Sequence, residues 1–467
     1  MLGIAYWRRR QAAAASGVGA EAAPRPAPVT RHQFALFRWL FGLYLAAHCA
    51  WLIPWGSELF SRDGIFPDPT VNPLHGLFPN PLALWDAPAV VTGWLVALTA
   101  LALLFAAGVA RRAAAVALWF GLACLFNRNN LIANPSLPYV GVLLLITALV
   151  PPGEGWSLGR KPAADRWAMP ASVFAVAWVL MAAGYAYSGL VKLASPSWVD
   201  GSALAHVLDN PLARSGPLRQ ALLAAPVLLQ VATWGGLAVE LLAAPLSLFR
   251  GTRPWWWLAA VGLQLGILAM VAFADLTAGM LMLHLFTLDP RWLPARRPAA
   301  GARHLVLYDG VCGLCDRAVQ FLLAEDREAV LHYAPLQGEA ARELLARGGR
   351  AAEGASTRLE ATAGEPAASA EAPADAGSAD ADPGTPETMI LVRDAGSDNP
   401  RLFVRSGAVL ATLDLIGGVW RPVSWLRAVP APVRDAVYRW IATHRYRWFG
   451  RYDVCKLPPS ATRERFL

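Results

Sequence analysis

Long apolar runs fill the first 290 residues of the chain and are separated by short loops. A run of about 20 apolar residues is needed for a helix to cross a bilayer. The fourth and eighth runs have about 14 residues, which also suits a re-entrant or internally packed helix. The pattern predicts an α-helical polytopic membrane domain with eight spans, give or take two. The runs lie at about 33–55, 88–110, 113–132, 137–150, 170–193, 222–249, 255–273 and 276–289.

Beyond residue 302 the pattern changes to that of an α/β domain. Short apolar runs bounded by turn residues predict strands, and apolar positions repeating every three or four residues predict helices. The order βαβαββα is that of a thioredoxin-like fold, with a hairpin around 395–399 and Ser406 as N-cap of the third helix. The strands are predicted at 303–308, 330–333, 389–392 and 402–404, and the helices at 312–323, 339–347 and 406–416.

Residues 348–387 interrupt this second pattern, because they consist mainly of Ala, Gly, Glu, Asp, Ser and Pro. Such a composition cannot bury enough apolar surface to offset the entropy of ordering, which predicts a disordered insertion. An insertion at the surface is tolerated, since the cost of closing a loop grows slowly with its length. The predicted organisation is a cytoplasmic tail over 1–30, a membrane domain over 31–297 and a thioredoxin-like domain over 303–467.

Composition and charge support this division. Of the 467 residues 56% are hydrophobic and only 16% are charged, and the mean hydropathy is +0.38, which excludes an ordinary soluble or disordered chain. Residues 1–302 carry 21 Lys and Arg against 12 Asp and Glu, so the basic excess belongs to the apolar part and does not indicate nucleic-acid binding. Alternate loops hold 15 and four basic residues, which predicts cytoplasmic termini by the positive-inside rule. No cleavable signal peptide is expected, because polar residues follow the first arginines.

Ionisable residues within the apolar runs are costly in a membrane, and so they mark structural pairs or functional sites. Lys192 ends the fifth run and Glu240 lies within the sixth, while His48, Asp275 and His284 are further candidates. Two interpretations stay open for the first two residues. Either the lysine extends to the membrane interface and the glutamate pairs with a neighbour, or both belong to a polar site in the bundle.

The stretch 185–201, YAYSGLVKLASPSWVDG, resembles the vitamin K-dependent γ-carboxylase-like family, also called the horizontally transferred transmembrane (HTTM) domain. In the eukaryotic carboxylase the matching lysine is assigned as the base that deprotonates vitamin K hydroquinone. The resemblance therefore implies a basic amine at Lys192, which an apolar site can keep neutral, and a quinone as a cofactor of the membrane domain. The family pattern is Gly-x-x-Lys-Leu followed by Trp and Gly a few residues on. In this chain it is carried by Gly189, Lys192, Leu193, Trp198 and Gly201.

The candidate chemistry of the second domain lies at Cys312 and Cys315. A Cys-x-x-Cys that follows a strand and opens a helix is typical of a redox centre. Free N–H groups and the helix dipole favour a thiolate at Cys312, whereas Cys315 is expected to be less exposed, less acidic and able to resolve a mixed disulfide. Two alternatives stay open, an idle pair and half of a zinc site, for which His332 and Cys455 are the local ligand candidates.

The motif 307–315, LYDGVCGLC, resembles the DCC family of thiol-disulfide oxidoreductases, named for its Asp-x-x-Cys-x-x-Cys signature. The resemblance extends to 405–408, to 444–450 and to the end of the chain, and it makes Asp309 and Cys455 accessory candidates. Thioredoxins place a cis-proline at the start of the third strand, where this chain has Thr388 and Met389.

The expected protein is a membrane-anchored thiol-disulfide oxidoreductase of the protein-disulfide reductase type, integral to a bacterial-type plasma membrane. The Cys312–Cys315 disulfide is its redox group, and no other cofactor and no metal is expected. Expected partners are membrane lipid and protein or small-molecule thiols and disulfides, with no nucleic acid. Alternatives are a carboxylase- or quinone-like membrane enzyme centred on Lys192 with an accessory redox domain, and a non-catalytic transporter or scaffold.

The residues from Gly418 onward add a basic and aromatic segment to the second domain. They carry ten Lys and Arg against three acidic residues. The large aromatic residues interleaved with them include Trp420, Trp425, Tyr438, Trp440, Tyr446, Trp448 and Phe449. This segment either packs on the thioredoxin-like core or docks on the anionic cytoplasmic leaflet.

Overall fold

The computed structural model describes most of the chain as two compact units, Met1–Leu288 and Asp289–Leu467. The described residues are 29–73, 75–131, 134–158, 167–293, 303–339, 341, 389–395, 400–454 and 460–467. The predicted insertion at 348–387, most of the predicted helix at 339–347, Cys455 and the tail before residue 29 lie outside them.

The first unit consists of helices. The first begins with a capping box in which Thr30 and Gln33 bond each other's backbone. The helices are α1 Arg31–Leu52, α2 Gly56–Phe60, α3 Pro88–Ala107, α4 Arg111–Arg128, α5 Leu137–Leu149, α6 Ala171–Lys192, α7 Pro196–Val199, α8 Ala203–Asp209, α9 Pro217–Leu223, α10 Pro226–Leu241, α11 Ala243–Leu248, α12 Arg253–Met270 and α13 Ala274–Thr287.

All eight apolar runs are helical, but fewer have the dimensions of a membrane span. Within the described residues, three helical stretches are long and apolar enough to cross a bilayer, namely Arg31–Phe60, Pro88–Ala107 and Ala171–Lys192. The pair α9 and α10 makes a fourth if a bend of 97° is allowed within one span. Helices α5 and α13 are apolar but shorter. The count of eight spans stays a prediction.

The sixth apolar run differs from the single helix that its pattern predicts. It is divided among α9, α10 and α11, and α10 begins at Pro226. A proline lacks the backbone N–H that would continue the preceding helix and clashes with its last turn, so it suits the first position of a new one. A second break follows Leu241, where α10 ends, and it leaves Glu240 in the last turn of that helix.

Several charges that the sequence assigns to helices and loops are buried in ion pairs. The guanidinium groups of Arg38 and Arg111 both contact one carboxylate oxygen of Glu154, at 3.1 and 2.6 Å. Arg128 is one of the basic residues counted in the loops for the positive-inside rule, but its side chain is fully buried. Its guanidinium lies 2.9 Å from the carboxylate of Asp86. These pairs tie loops to helix ends, so part of the charge asymmetry has a structural role.

The second unit contains a four-stranded sheet in the order β2-β1-β3-β4. Strands β1 and β2 are parallel, whereas β1 with β3 and β3 with β4 are antiparallel. This order and the helices that follow β1 and β4 confirm the predicted thioredoxin-like fold. The elements are β1 His304–Tyr308, α14 Gly313–Glu325, β2 Leu331–Pro335, β3 Ile390–Arg393, β4 Arg401–Val404, α15 Arg405–Ile416 and α16 Ala431–Phe449, with 3₁₀ turns at Gly418–Ala428 and Ser460–Arg465.

The last residues of the sequence cover the β2 edge of this sheet. Phe466 forms a parallel bridge with Tyr333 of β2, and the backbone N–H of Leu467 donates to the carbonyl of Tyr333 at 2.9 Å. A covered edge cannot pair with another chain.

The predicted hairpin is present, because Arg393 of β3 pairs with Arg401 of β4. The predicted cap of the following helix is wrong. Strand β4 passes directly into α15, whose N-cap is Val404, and Ser406 lies in the first turn. Its hydroxyl instead bonds the carboxylate of Asp435 in α16, which fixes that helix against α15.

Candidate active site

Cys312 lies where β1 has turned into α14. It is the N-cap residue of the helix, with extended backbone angles. Its sulfur accepts hydrogen bonds from the thiol of Cys315 and from the backbone N–H groups of Cys315 and Leu314. These donors outweigh burial and the nearby carboxylate of Asp309, and they lower the pKa of Cys312 to about 6. The thiolate is therefore the main form at neutral pH, as a nucleophilic cysteine requires.

Cys315 lies one helical turn further along and has the opposite character. Its hydrogen bond to Cys312 and its burial raise the pKa of its thiol above the ordinary value, although the backbone N–H of Asp309 donates to its sulfur. The expectation that Cys315 is the less exposed residue is wrong, because Cys312 is fully buried while Cys315 is half-buried.

The burial of Cys312 comes from the segment Gly450–Tyr452, which follows α16. The backbone N–H of Gly313 donates to the carbonyl of Gly450 at 3.1 Å, and the N–H of Tyr452 donates to the carbonyl of Val311 at 2.8 Å. A Cβ atom on Gly313 would lie 2.2 Å from a backbone oxygen of this region, so only glycine fits between the cysteines at that position. The DCC resemblance includes the adjacent stretch 444–450 but gives no indication that this segment covers Cys312.

Asp309 is the centre of a buried polar network beneath the motif. Its carboxylate accepts from the hydroxyl of Tyr446 at 2.6 Å, from Gln337 at 3.0 Å and from the backbone N–H of Val311 at 3.2 Å. The guanidinium of Arg445 lies 3.5 Å from it, and both side chains are buried. The network fixes the turn before Cys312 to helix α16.

The two α16 residues respond to this environment. Burial opposes the charged form of Arg445, but its hydrogen bond with Tyr446 and the charges of Asp309 and Cys312 raise its pKa above the ordinary value. Burial, followed by the hydrogen bond to Asp309, raises the pKa of Tyr446. Arg445 therefore stays cationic and offsets the buried carboxylate beside the thiolate.

The zinc alternative finds no support in the described part of the chain, where no group of three or more His, Cys, Asp or Glu side chains is placed to hold a metal. His332 lies within β2, and burial lowers its pKa. Cys455 lies outside the described residues, so its role stays a prediction. Cys49 and Cys124 are buried in the first unit.

In the first unit the structure brings Lys192 and Glu240 together. The amine of Lys192 forms an ion pair with Glu240, donates to Ser188 at 3.2 Å and lies 4.6 Å from the ring centroid of Trp198. Helices α6 and α10 approach each other closely at this point. A Cβ atom on Gly189 would lie only 2.9 Å from the backbone nitrogen of Leu241, the residue after Glu240. The glycine, lysine and tryptophan of the sequence pattern thus share one helix–helix contact.

A second polar cluster surrounds His284 in the same unit. Its Nε2 lies 2.8 Å from the hydroxyl of Tyr185, which also accepts from Gln264 at 2.6 Å. The other candidates, His48 and Asp275, are 2.9 Å apart in a separate cluster.

The fold and the site define a helical membrane domain joined to a thioredoxin-like domain that carries a Cys-x-x-Cys helix start. The HTTM domain family matches residues 27–287, and the DCC1-like thiol-disulfide oxidoreductase family matches residues 306–377 and 365–451. The chain therefore belongs to the HTTM domain family and, through its second part, to the DCC family.

Two curated relatives each match about a third of this chain. An uncharacterised Bacillus subtilis protein, YuxK, is 29% identical over 163 residues, which are 35% of this chain and 93% of that protein. A chloroplastic DCC family protein of Arabidopsis thaliana is 30% identical over 156 residues, which are 33% of this chain and 70% of that protein. No solved structure matches the chain significantly.

Proposed function

We propose that this chain is a membrane-anchored thiol-disulfide oxidoreductase of the protein-disulfide reductase type, in which Cys312 attacks and Cys315 resolves. The observation that carries the proposal is the opposite shift of the two thiols, with the pKa of Cys312 lowered to about 6 and that of Cys315 raised. A thiolate at Cys312 is what the first step of thiol–disulfide exchange requires.

In the first step the Cys312 thiolate attacks one sulfur of a substrate disulfide, and the other sulfur leaves as a thiolate that takes up a proton. In the second step Cys315 loses its proton and attacks the Cys312 sulfur of the mixed disulfide. The substrate leaves as a dithiol, and Cys312 and Cys315 form a disulfide, so two electrons pass to the substrate. An external dithiol reductant of the cytoplasm restores the reduced pair.

Asp309 is our choice for the group that receives the proton of Cys315. Its carboxylate is buried, and its charge acts on both thiols. Asp309→Asn is expected to slow resolution more than attack, so the mixed disulfide accumulates. Gln337→Met is a matched control, because it perturbs the same network without removing the carboxylate of Asp309 or adding a charge beside it. Equal slowing of both steps in Asp309→Asn would count against this role.

Trapping experiments test the assignment of the two cysteines. Full-length Cys315→Ser, incubated with oxidised glutathione and examined by intact mass, should accumulate one adduct on Cys312. Cys312→Ser should accumulate none at Cys315, because burial, which persists in this variant, also raises the pKa of the Cys315 thiol. Equal trapping in both variants would refute the assignment.

We further propose that the protein resides in a plasma membrane of bacterial type with both termini in the cytoplasm. The 15-to-four distribution of basic residues between alternate loops supports this orientation. In a reducing compartment the resting state of the pair is then the dithiol.

A second candidate function places carboxylase- or quinone-like chemistry at Lys192. One observation favours it: within the described residues, the second carboxylate oxygen of Glu240 is buried without a hydrogen-bond partner beside the lysine. A buried polar atom without a partner is costly, and such atoms are retained where a ligand or proton is handled.

A further inference from the structure

A cavity of about 1010 Å³ lies in the first unit, lined by residues of α1, α4, α5 and α13. Its volume is at the upper end of the range of small-molecule sites. Its walls are mainly apolar, and Trp51 and Trp119 contribute the largest side chains. Lys192 and Glu240 are not among the residues that line it. The cavity is therefore separate from the site that the HTTM pattern indicates.

Polar groups gather around Asp275 in the wall of this cavity. One carboxylate oxygen of Asp275 accepts from the hydroxyl of Tyr44 at 3.0 Å and contacts Nδ1 of His48 at 2.9 Å. The other oxygen accepts from the side-chain amide of Asn134 at 2.6 Å. A carboxylate in an apolar bundle is costly, and these three donors offset that cost.

His48 is the group of this cluster that remains available to a ligand. Because Asp275 holds its Nδ1, the ring presents Nε2 as its second hydrogen-bonding atom. Within the described ranges no side chain forms a hydrogen bond with Nε2 of His48. The His48 side chain keeps 13% of its surface exposed. The arrangement is an oriented imidazole beside a large apolar space.

The charges of the wall restrict the head group that this space can hold. The lining contains no Lys or Arg within the described residues, and Asp275 repels an anionic head. Three of the roughly four acceptor sites of the Asp275 carboxylate are already occupied, which leaves little capacity for a cationic head. A neutral hydroxyl group can donate to Nε2 of His48 without disturbing the cluster.

We propose that this cavity binds a lipid-like molecule with a neutral hydroxyl head, a long-chain alcohol. The head hydrogen-bonds Nε2 of His48, which Asp275 orients, and the chain lies along the apolar walls. This site is a second binding site of the protein, independent of the cysteine pair and of Lys192.

Photolabelling of the full-length protein in lipid nanodiscs tests the proposal. Three diazirine probes with the same sixteen-carbon chain differ only in their heads, which are a hydroxyl, a methyl ether and an amine. Labelled peptides are mapped by mass spectrometry over 119–126 and 137–142, which contribute to the cavity wall. The alcohol should label these peptides saturably, and the ether roughly fivefold less, which is the effect of one hydrogen bond.

Four variants define the site. His48→Phe should reduce labelling by the alcohol to the level of the ether, while the matched substitution His206→Phe, outside the cavity lining, should not. Ala123→Phe fills part of the cavity and should reduce labelling by all three probes, which keeps the test valid if His48→Phe lowers the melting temperature. Lys192→Met should leave labelling unchanged.

Four results would overturn the proposal. Equal labelling by alcohol and ether would mean that the hydroxyl is not recognised and that the space holds bulk lipid. Strongest labelling by the amine would identify Asp275 as the recognition group. Unchanged alcohol labelling in folded His48→Phe, or loss of labelling in folded Lys192→Met, would place the ligand elsewhere.

Discussion

Removal of the Cys315 thiol should raise the pKa of Cys312, because the hydrogen bond from that thiol is the largest of the contributions that lower it. Cys315→Ala removes this donor and leaves the backbone N–H groups of residues 314 and 315 in place. Cys315→Ser is the matched control, since its hydroxyl can still donate to the Cys312 thiolate. The comparison isolates one hydrogen bond to a charged sulfur.

The expected size follows from the energy of such a bond. A hydrogen bond to a charged group contributes about 1.5–3 kcal/mol, and one pKa unit corresponds to about 1.4 kcal/mol. The pKa of Cys312 should therefore rise from about 6 to about 7–8 in Cys315→Ala. At pH 6 its thiolate fraction should fall by roughly five- to fiftyfold. In Cys315→Ser the pKa should stay closer to the wild-type value.

The assay is the rate of iodoacetamide alkylation at Cys312 from pH 5 to 9 in the reduced full-length protein, with peptide mapping to separate it from the other cysteines. A Cys315→Ala profile that superimposes on the wild-type profile would refute the reasoning, because the backbone donors alone would then determine the pKa. Alkylation of Cys315 or Cys455 at lower pH than Cys312 would overturn the assignment of the nucleophile.

Further predictions concern stability and orientation. Arg445→Met leaves a buried carboxylate without its cation and should lower the free energy of unfolding by about 3 kcal/mol in denaturant, with a smaller loss in Arg445→Lys; equal losses would argue against the charge. The free energy of unfolding of the reduced protein should increase as pH rises from about 6 to 9, because folding lowers the pKa of Cys312. This gain should be lost as pH falls through about 6, and the disulfide form should not show it. Lys192→Met should lower the melting temperature, and Lys192→Met/Glu240→Leu should recover it; lost activity at unchanged stability would instead indicate a functional amine. A reporter fused after Arg297 should report a cytoplasmic location, and a periplasmic signal there would overturn the span count.

The sequence determined those features that depend on neighbouring residues. Apolar runs must be helical in a membrane because no water is available to satisfy the backbone, and each run is helical in the structure. The position of Cys312 at a helix start followed from the strand, turn and helix pattern around it. The acidic thiol needs only the N–H groups of the next turn and the thiol three residues away, so it too was predictable.

Only the tertiary structure decided which distant groups meet. Asp309 and Arg445 are 136 residues apart along the chain, and Lys192 and Glu240 are 48 apart. Neither hydropathy nor local residue spacing predicts the distance between such groups, because that distance depends on how whole helices and strands pack together. The same limit explains the wrong expectation for exposure: the segment after α16 buries Cys312 through backbone hydrogen bonds, and a backbone contact between segments so far apart leaves little trace in side-chain pattern.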